Sequence, residues 1–556
     1  MLKMKYILLL TASLLFLINL NAQTLYDFLN KSKSTYEING TIKNATEGDT
    51  LILGFYRTTY TSAATFAKDT AVIKNNKIVF SGKDSLAEGM YFIFDKKTTS
   101  MLLPLIVSKQ KISFECDIKN MQESLKFINS PVNTTAAKYQ EFLQVKMEER
   151  RQLENQNLPK EELNQKIEKI SEEINNYRQN IITKNSDNFF GMFLKTTEQI
   201  IIPESITEPE KMHAFYKSHY WDNFNLKDER ILNTSNFYNT LNDYIDKFTH
   251  KDPDSLINSI DILTNLASGN EEMFKFIIEF SFYKWEKELK NIMGMDKILV
   301  HITDNYIQQN LCEWMDSTRK ANIIERAEQI SPNLIGKKAA EFIDANDRPF
   351  MKDLKGKTHT LSDIQAKYTL LVFYGPSCGH CKKEMPKVKK QLDSLVNQGI
   401  DIKTFAVATE FDKKEWEKFI KEQNTSSWLN VADIRHQDVF YIFKDKEKNM
   451  FVSSDIKSKY NVKRIEVPAF TVNNNQLNIE TFKQVKQQYK DSEFILSENK
   501  FSCLKEKQPV TSSDWREKYD IYSTPVIYLL DKEKKILAKR ITHKQIAKVI
   551  KNKEKL

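Results

Sequence analysis

The chain has 556 residues, and its 83 lysines and arginines exceed its 74 acidic residues, giving a net charge of +9. Single domains typically contain about 100–200 residues, so one compact core is not expected. The charges are interspersed, as in KEELNQKIEKISEE, and form no basic stripe. We therefore expect several domains and no nucleic-acid partner.

The first residues have the pattern of a secretory signal peptide. Lys3 and Lys5 precede an apolar run from Tyr6 to Leu20, and a small residue, Ala22, follows. The run is shorter than the roughly 20 residues that a membrane-spanning helix needs. We expect residues 1–23 to be cleaved and the chain to be exported to the periplasm or cell envelope, with no transmembrane segment in the mature protein. An uncleaved anchor is the alternative.

Residues 24–133 are predicted to form a β-sandwich-like accessory domain. Short alternating segments separated by polar turns are typical of a small antiparallel sandwich. The predicted strands are residues 36–40, 49–55, 77–80, 90–94 and 111–118. Cys116 shares a face of the last strand with Ile112 and Phe114, so we expect it to be buried.

Residues 134–330 are predicted to form an α-helical domain. Apolar residues spaced by three and four positions form the seam of a coiled-coil-like helix: Leu163, Ile167, Ile170, Ile174, Tyr177 and Ile181. A preceding helix carries Tyr139, Leu143 and Met147 on one face and ends before Pro159, which predicts a helical hairpin. Cys312 is expected to be buried in a later helix, a structural bond to another cysteine being the alternative.

Residues 331–556 have a different order of elements. Strand, helix, strand and helix are predicted at residues 369–374, 382–395, 402–408 and 413–423, which indicates a parallel βαβ unit. Cys378-Gly379-His380-Cys381 follows the first strand. Two thiols at this spacing can close into a disulfide, and a position near a helix N-terminus stabilises a thiolate. CxxC beside βαβ predicts thioredoxin-like redox chemistry.

Several runs carry a family resemblance: AAEF at 339–342, LSD at 361–363, CGHCKKEMP at 378–386 and KYDIYSTPVIYLLDKEKKILAKRI at 518–541. With them the chain resembles exported thioredoxin-like thiol:disulfide oxidoreductases of the TlpA/ResA type. The two preceding regions resemble the β-rich and α-helical modules that often precede this domain. The resemblance implies a multidomain α+β protein that exchanges thiols with cysteines of protein or peptide substrates. It implies that the chain uses no cofactor. It also implies a separate redox partner protein.

The resemblance also implies roles for individual residues. Cys378 would attack a substrate disulfide and Cys381 would resolve the mixed disulfide. Gly379 and His380 would tune the couple, since an imidazolium stabilises a thiolate. Glu384, one helical turn after Cys381, would exchange a proton with it, or would be a solvated helix glutamate. The reductase or isomerase direction stays open.

Thr524-Pro525 resembles the cis-proline loop that faces the cysteines in this fold. Val467-Pro468 is a competitor, but the strand and terminal helix after Pro525 complete the fold. This choice leaves residues 437–511 as an insertion with strands and a helix of its own. Cys503 lies in it, and we expect a structural or unpaired cysteine there, with a third redox cysteine as the alternative.

Other functions have weaker support. A non-catalytic binding or assembly protein of the cell envelope is the main alternative. A peroxidase of the same superfamily would need Pro and Thr where the chain has Leu371 and Gly375. A zinc site on the CxxC motif lacks further ligands at recognisable spacing, so no metal is expected. Many relatives carry tryptophan where this chain has Ser377, which leaves the packing beside Cys378 to be determined.

Overall fold

The computed structural model describes residues 35–156, 158–344, 346–442, 493–496, 502–509 and 514–554. The predicted signal peptide and Pro468 lie outside these residues. The chain divides into two compact units, one ending at Lys287 and one beginning at Glu288. Among the described helices, none combines the length and apolarity needed to cross a bilayer.

The described part of the first unit starts with eight strands in two four-stranded sheets. The strands are β1 (Tyr36–Lys43), β2 (Thr50–Thr58), β3 (Ala63–Val72), β4 (Lys77–Gly82), β5 (Gly89–Asp95), β6 (Met101–Val107), β7 (Lys111–Asp117) and β8 (Lys126–Phe127). Their orders are β4-β1-β7-β8 and β3-β2-β5-β6. Apolar side chains from both sheets share one core, which makes the region a sandwich. Cys116 is buried in that core, as predicted.

The purely antiparallel pairing expected for the sandwich was wrong for one pair. Strands β1 and β7 run parallel, in register from Glu37 opposite Lys111 to Lys43 opposite Asp117. No hairpin connects two strands so far apart in the chain, so local turn signals do not set their direction. Strands β3, β6 and β8 had not been predicted. Strands β3 and β6 are edge strands, and β6 contains Pro104, which sheets tolerate at an edge.

The sandwich is followed by helices, which confirms the predicted change of class. They are α1 (Met121–Ser124), which precedes β8, α2 (Pro131–Glu154), α3 (Lys160–Lys184), α4 (Phe189–Lys195), α5 (Pro209–Ser218), α6 (Phe237–Asp246), α7 (Pro253–Leu266) and α8 (Glu271–Lys284). Helices α2 and α3 form the predicted hairpin. Tyr139 stacks on Tyr177 at 6.0 Å between ring centroids, and Lys146 pairs with Glu173 at 2.5 Å.

In the described part of the second unit, two α-helices precede the main sheet and four follow its first strand. The helices are α9 (Asp296–Ile302), α10 (Ser317–Ile330), α11 (Gly379–Asn397), α12 (Lys413–Glu422), α13 (Asp514–Lys518) and α14 (His543–Glu554). Cys312 is buried as predicted, but its predicted helical position was wrong. It lies just before a turn, and its carbonyl oxygen accepts from the Met315 N–H at 3.2 Å. The next helix begins only after Asp316, which caps it by accepting a hydrogen bond from the Arg319 N–H.

The main sheet has seven strands in the order β10-β9-β13-β12-β11-β17-β18. These strands are β9 (Met351–Lys352), β10 (Thr358–His359), β11 (Tyr368–Tyr374), β12 (Ile402–Ala408), β13 (Leu429–Asp433), β17 (Val526–Leu530) and β18 (Ile536–Lys539). Strands β11, β12 and β13 are parallel, which confirms the βαβ prediction, and β17 pairs antiparallel with β11. This is a thioredoxin-like arrangement.

A separate antiparallel sheet falls in the predicted insertion. Its strands are β14 (His436–Ile442), β15 (Glu493–Leu496) and β16 (Ser502–Pro509), in the order β14-β16-β15. The strand β16 contains the backbone of Cys503. The helix predicted near residues 481–489 lies outside the described residues.

Burial on both faces of β11 fixes the position of the CxxC segment. Leu370, Val372 and Tyr374 pack with helices α11, α12 and α14 on one face, while Leu371 and Phe373 pack on the other. All seven residues of the strand are buried. A strand held on both faces gives its carboxyl end, and the helix that starts there, a fixed position.

Candidate active site

Cys378 lies at the N-terminus of α11, where the chain turns after β11. Its N–H donates to the Gly375 carbonyl oxygen at 3.1 Å, and its own carbonyl accepts from the Lys382 N–H at 3.1 Å. Cys378 is therefore the N-cap residue, with extended backbone angles. The N–H groups of the first helical turn have no partner within the helix, so this end of α11 carries partial positive charge beside Cys378.

The Cys378 thiol is half-buried, and its pKa is lowered from 9.0. Burial acts to raise the pKa, but the polar groups around the sulfur outweigh it. The Thr524 side chain, the N–H and thiol of Cys381, and the His380 N–H all act to lower the pKa. Donors near a sulfur favour the thiolate over the thiol. Cys378 Sγ also lies 3.5 Å from the Thr524 carbonyl oxygen.

Cys381 has the opposite environment. Its side chain is fully buried, and burial raises its pKa from 9.0 to about 12, although Thr524 and the Gly375 N–H oppose the change. The Gly375 nitrogen lies 3.4 Å from Cys381 Sγ. The two thiols of the motif are thus chemically unequal, one poised to ionise and one held protonated.

Thr524-Pro525 faces both cysteines, and its peptide bond is cis. The Thr524 side chain acts to lower the pKa of both thiols. Gly375 packs closely between the loop and the motif, because a Cβ there would lie 3.3 Å from Thr524 Oγ1 and 3.2 Å from Cys378 Cβ. A larger residue at 375 would press these groups apart.

Glu384 is placed one turn below Cys381, as the sequence predicted, but its partner is on α14. Its Oε1 lies 2.5 Å from His543 Nδ1 and also accepts from the His543 N–H at 3.3 Å. Burial acts to raise the Glu384 pKa, but the bonds to His543 and the charge of Lys387 lower it overall. Glu384 is therefore a carboxylate that joins α11 to α14. The predicted proton exchange with Cys381 stays a prediction. Helix α11 continues through Pro386 to Asn397.

The middle residues of the motif face outward. Gly379 and His380 are exposed, and a Cβ at Gly379 would meet nothing within 4 Å. Space therefore does not require glycine at this position.

Sequence reasoning missed Glu410 and His543. The Ser377 hydroxyl donates to Glu410 Oε2 at 2.5 Å, and the Ser377 N–H donates to the same oxygen at 3.3 Å. Serine at the position often held by tryptophan thus binds a carboxylate beside the nucleophile. Glu410 closely follows the parallel strand β12, and the carboxyl ends of parallel strands lie at one edge of a sheet. This position could have indicated that Glu410 lies near the CxxC motif, which follows β11. Nothing local to residue 543 indicated its pairing with Glu384.

Three family models match successive parts of the chain. Residues 36–135 match a domain of unknown function, DUF4369, and residues 154–333 match another, DUF5106. Residues 335–479 match the AhpC/TSA family.

Curated relatives match only segments. The thiol-disulfide oxidoreductase ResA of Geobacillus kaustophilus is 34% identical over 85 residues, which are 15% of this chain and 44% of that protein. ResA of Bacillus subtilis is 36% identical over 61 residues, 11% of this chain and 34% of that protein. Leucine--tRNA ligase of Phocaeicola vulgatus is 33% identical over 95 residues, 16% of this chain and 10% of the ligase. The chain thus spans less than half of each ResA protein and a tenth of the ligase.

Among solved structures, a thioredoxin-like protein from Bacteroides caccae is 17% identical, with a TM-score of 0.36. That match covers 64% of this chain and 97% of the other. The sequence matches and the sheet order agree on the last part of the chain. The chain carries a thioredoxin-like domain that matches the AhpC/TSA family and is similar to the ResA thiol-disulfide oxidoreductases, after an N-terminal β-rich region and a central helical region.

Proposed function

We propose that this protein is an exported thiol:disulfide oxidoreductase that exchanges the Cys378/Cys381 pair with cysteines of protein or peptide substrates. The contrast between the two thiols carries the proposal. Cys378 is half-exposed with a lowered pKa, and Cys381 is fully buried with its pKa raised to about 12. Exchange needs one accessible thiolate and one thiol that stays protected until the mixed disulfide forms.

In the reducing direction, the Cys378 thiolate attacks one sulfur of a substrate disulfide. That S–S bond breaks, the departing substrate sulfur takes a proton, and a mixed disulfide forms. Cys381 then loses its proton and attacks Cys378 Sγ, which releases the second substrate thiol. The substrate gains two electrons and the protein ends as the Cys378–Cys381 disulfide. A partner protein must supply two electrons to restore the dithiol, and oxidation is the same path reversed.

The surrounding residues have supporting roles in this proposal. Thr524 stabilises the thiolate and its carbonyl offers a backbone acceptor beside the nucleophile, so the Thr524-Pro525 loop is the substrate-contact loop. His380 and Gly379 tune the potential from the exposed side of the helix. Glu384 supports the helix through His543 and is the candidate, one helical turn from Cys381, for relaying the Cys381 proton.

Insulin reduction with the purified mature chain tests the proposal. We expect turnover in the wild type and none in Cys378→Ala, with alkylation by a thiol probe concentrated at Cys378. Cys116→Ala is the matched control, because Cys116 is buried in the sandwich core. A wild type that neither reduces insulin nor reacts with the probe would favour the non-catalytic binding or assembly protein.

Two further measurements address direction and export. The reduction potential of the Cys378/Cys381 couple separates a reductase, at about −270 mV, from an isomerase or oxidant, at about −180 mV. Mass analysis of the protein recovered from the cell envelope tests export, with removal of residues 1–23 as the expected result.

A further inference from the structure

An ion-pair cluster ties a helix outside the AhpC/TSA match to the loop that faces the cysteines. The helix is α10, which lies within the part matched by DUF5106, and the loop runs from Asp520 to Thr524. Asp520 is 6% exposed. Arg326 of α10 donates from Nη1 to Oδ1 at 2.7 Å and from Nη2 to Oδ2 at 3.1 Å. Two parallel bonds fix both the distance and the orientation of the carboxylate.

The same carboxylate has a second cationic partner. Arg540, directly after β18, donates from Nη2 to Asp520 Oδ2 at 2.7 Å. It also donates to the Asp520 carbonyl oxygen. Asp520 is therefore held between the sheet and α10, at the start of the loop. Its backbone has a φ of +54°, a left-handed conformation that L-residues adopt rarely, so the side-chain contacts hold an unusual turn in place.

A second contact from α10 reaches further along the loop. Gln329 Oε1 accepts from Arg326 Nη1 at 3.2 Å and from the Tyr522 hydroxyl at 3.3 Å. Tyr522 is 68% exposed, which is unusual for so large an aromatic side chain. Its ring is thus open to solvent while its hydroxyl end is fixed. Tyr522 lies two residues before Thr524, whose carbonyl oxygen is 3.5 Å from Cys378 Sγ.

We propose that α10 positions the loop Asp520–Thr524 for exchange and that Tyr522 forms part of the surface on which a peptide disulfide rests. Arg326 and Asp520 are positioning residues, and Tyr522 is a substrate-contact residue. An exposed aromatic ring with a polar tip suits an extended peptide whose cysteine has apolar or aromatic neighbours. This inference rests on the proposed oxidoreductase function, and it gives part of the DUF5106 region a role at the active site.

The test compares a disulfide-bonded peptide with hydroxyethyl disulfide, a small substrate that has no peptide chain to rest on Tyr522. All measurements use the full mature chain. Arg326→Gln is expected to lower kcat/KM for the peptide by about 10- to 100-fold, the size expected of a misplaced reacting group, and to change the rate with hydroxyethyl disulfide much less. Arg326→Lys should recover part of the loss, since it keeps the charge without the planar fork. Lys320→Gln is the control, because it removes one positive charge from the same helix.

Tyr522→Ala separates contact from positioning. It should raise KM for the peptide by a larger factor than it changes kcat. The inference would be overturned if Arg326→Gln had the wild-type rate with both substrates. It would also be overturned if the rate of Arg326→Gln fell by the same factor with the peptide and with hydroxyethyl disulfide.

Hydrogen exchange at the backbone amides of residues 520–524 keeps the inference independent of the proposed activity. We expect faster exchange there in Arg326→Gln than in wild type or Lys320→Gln. A wild type inactive on both disulfides would refute the oxidoreductase function, and hydrogen exchange alone would then test whether α10 positions the loop. Unchanged hydrogen exchange at these amides in Arg326→Gln would refute that positioning role.

Discussion

The inequality of the two thiols leads to a quantitative prediction for Cys381. Raising a thiol pKa from 9.0 to about 12 lowers the thiolate fraction at neutral pH by about a thousand-fold. Alkylation requires the thiolate, and burial removes access as well. A Cys378→Ser variant removes the part of this shift that Cys378 causes but keeps the burial, which is its largest cause. In this variant we therefore expect Cys381 to react with iodoacetamide at pH 8 about 100- to 1000-fold more slowly than an exposed cysteine of ordinary pKa.

Peptide-resolved mass spectrometry of timed alkylation measures this directly, because it separates Cys381 from the other cysteines. The reciprocal variant, Cys381→Ser, should leave Cys378 reactive, with an alkylation midpoint below pH 9.0, the ordinary thiol value. Cys116 is an internal control for burial, since its pKa is raised to about 11, mainly by desolvation in the sandwich. The same protein in denaturant gives the rate of an exposed thiol.

The alkylation rates of the two variants decide which thiol attacks and which resolves. If Cys381 in the native Cys378→Ser variant reacts as fast as Cys378 in the reciprocal variant, the assignment of attacking and resolving thiols is wrong. Equal rates in denaturant combined with unequal rates in the native protein would support it.

Three further predictions concern the surrounding contacts. Glu384→Gln should lower the free energy of unfolding of the second unit by about 1–2 kcal/mol at pH 7, the value of a charge-assisted hydrogen bond. Because the folded-state pKa of Glu384 is lowered, this stabilisation is present above the unfolded pKa and is lost as the pH falls through the folded pKa. Denaturant titrations of the variant and the wild type should therefore give converging free energies of unfolding in acid. Tyr374→Phe should lower the free energy of unfolding by about 2–3 kcal/mol, because it leaves two buried groups without their partner. These are the Trp416 N–H, 2.8 Å from the Tyr374 hydroxyl, and the Asn430 side-chain oxygen, 3.0 Å from it. Calorimetry of this variant and of Phe373→Leu would show whether loss of hydrogen bonds or loss of side-chain volume costs more stability. Glu410→Gln should lower the pKa of Cys378 further and speed its alkylation at pH 7, because a negative charge beside the sulfur disfavours the thiolate, and an unchanged pH profile would contradict this.

Much of the fold could be predicted because its signals are local. The alternation in residues 111–118 and the three-and-four spacing from Leu163 to Ile181 each report burial within one element. The βαβ order and the CxxC spacing together placed a thiol at a helix N-terminus, and the structure has Cys378 at that position. The parallel pairing of β1 with β7 was missed, since no turn connects those strands.

The sequence by itself determined the class of chemistry, because two cysteines three residues apart at the start of a helix are neighbours whatever the rest of the chain does. Only the tertiary structure decided how the site is built around them. Glu384 meets His543, Ser377 meets Glu410, and Asp520 meets Arg326 across 159, 33 and 194 positions of sequence. Such contacts depend on how helices and strands pack, and the periodicity of a single element carries no record of them.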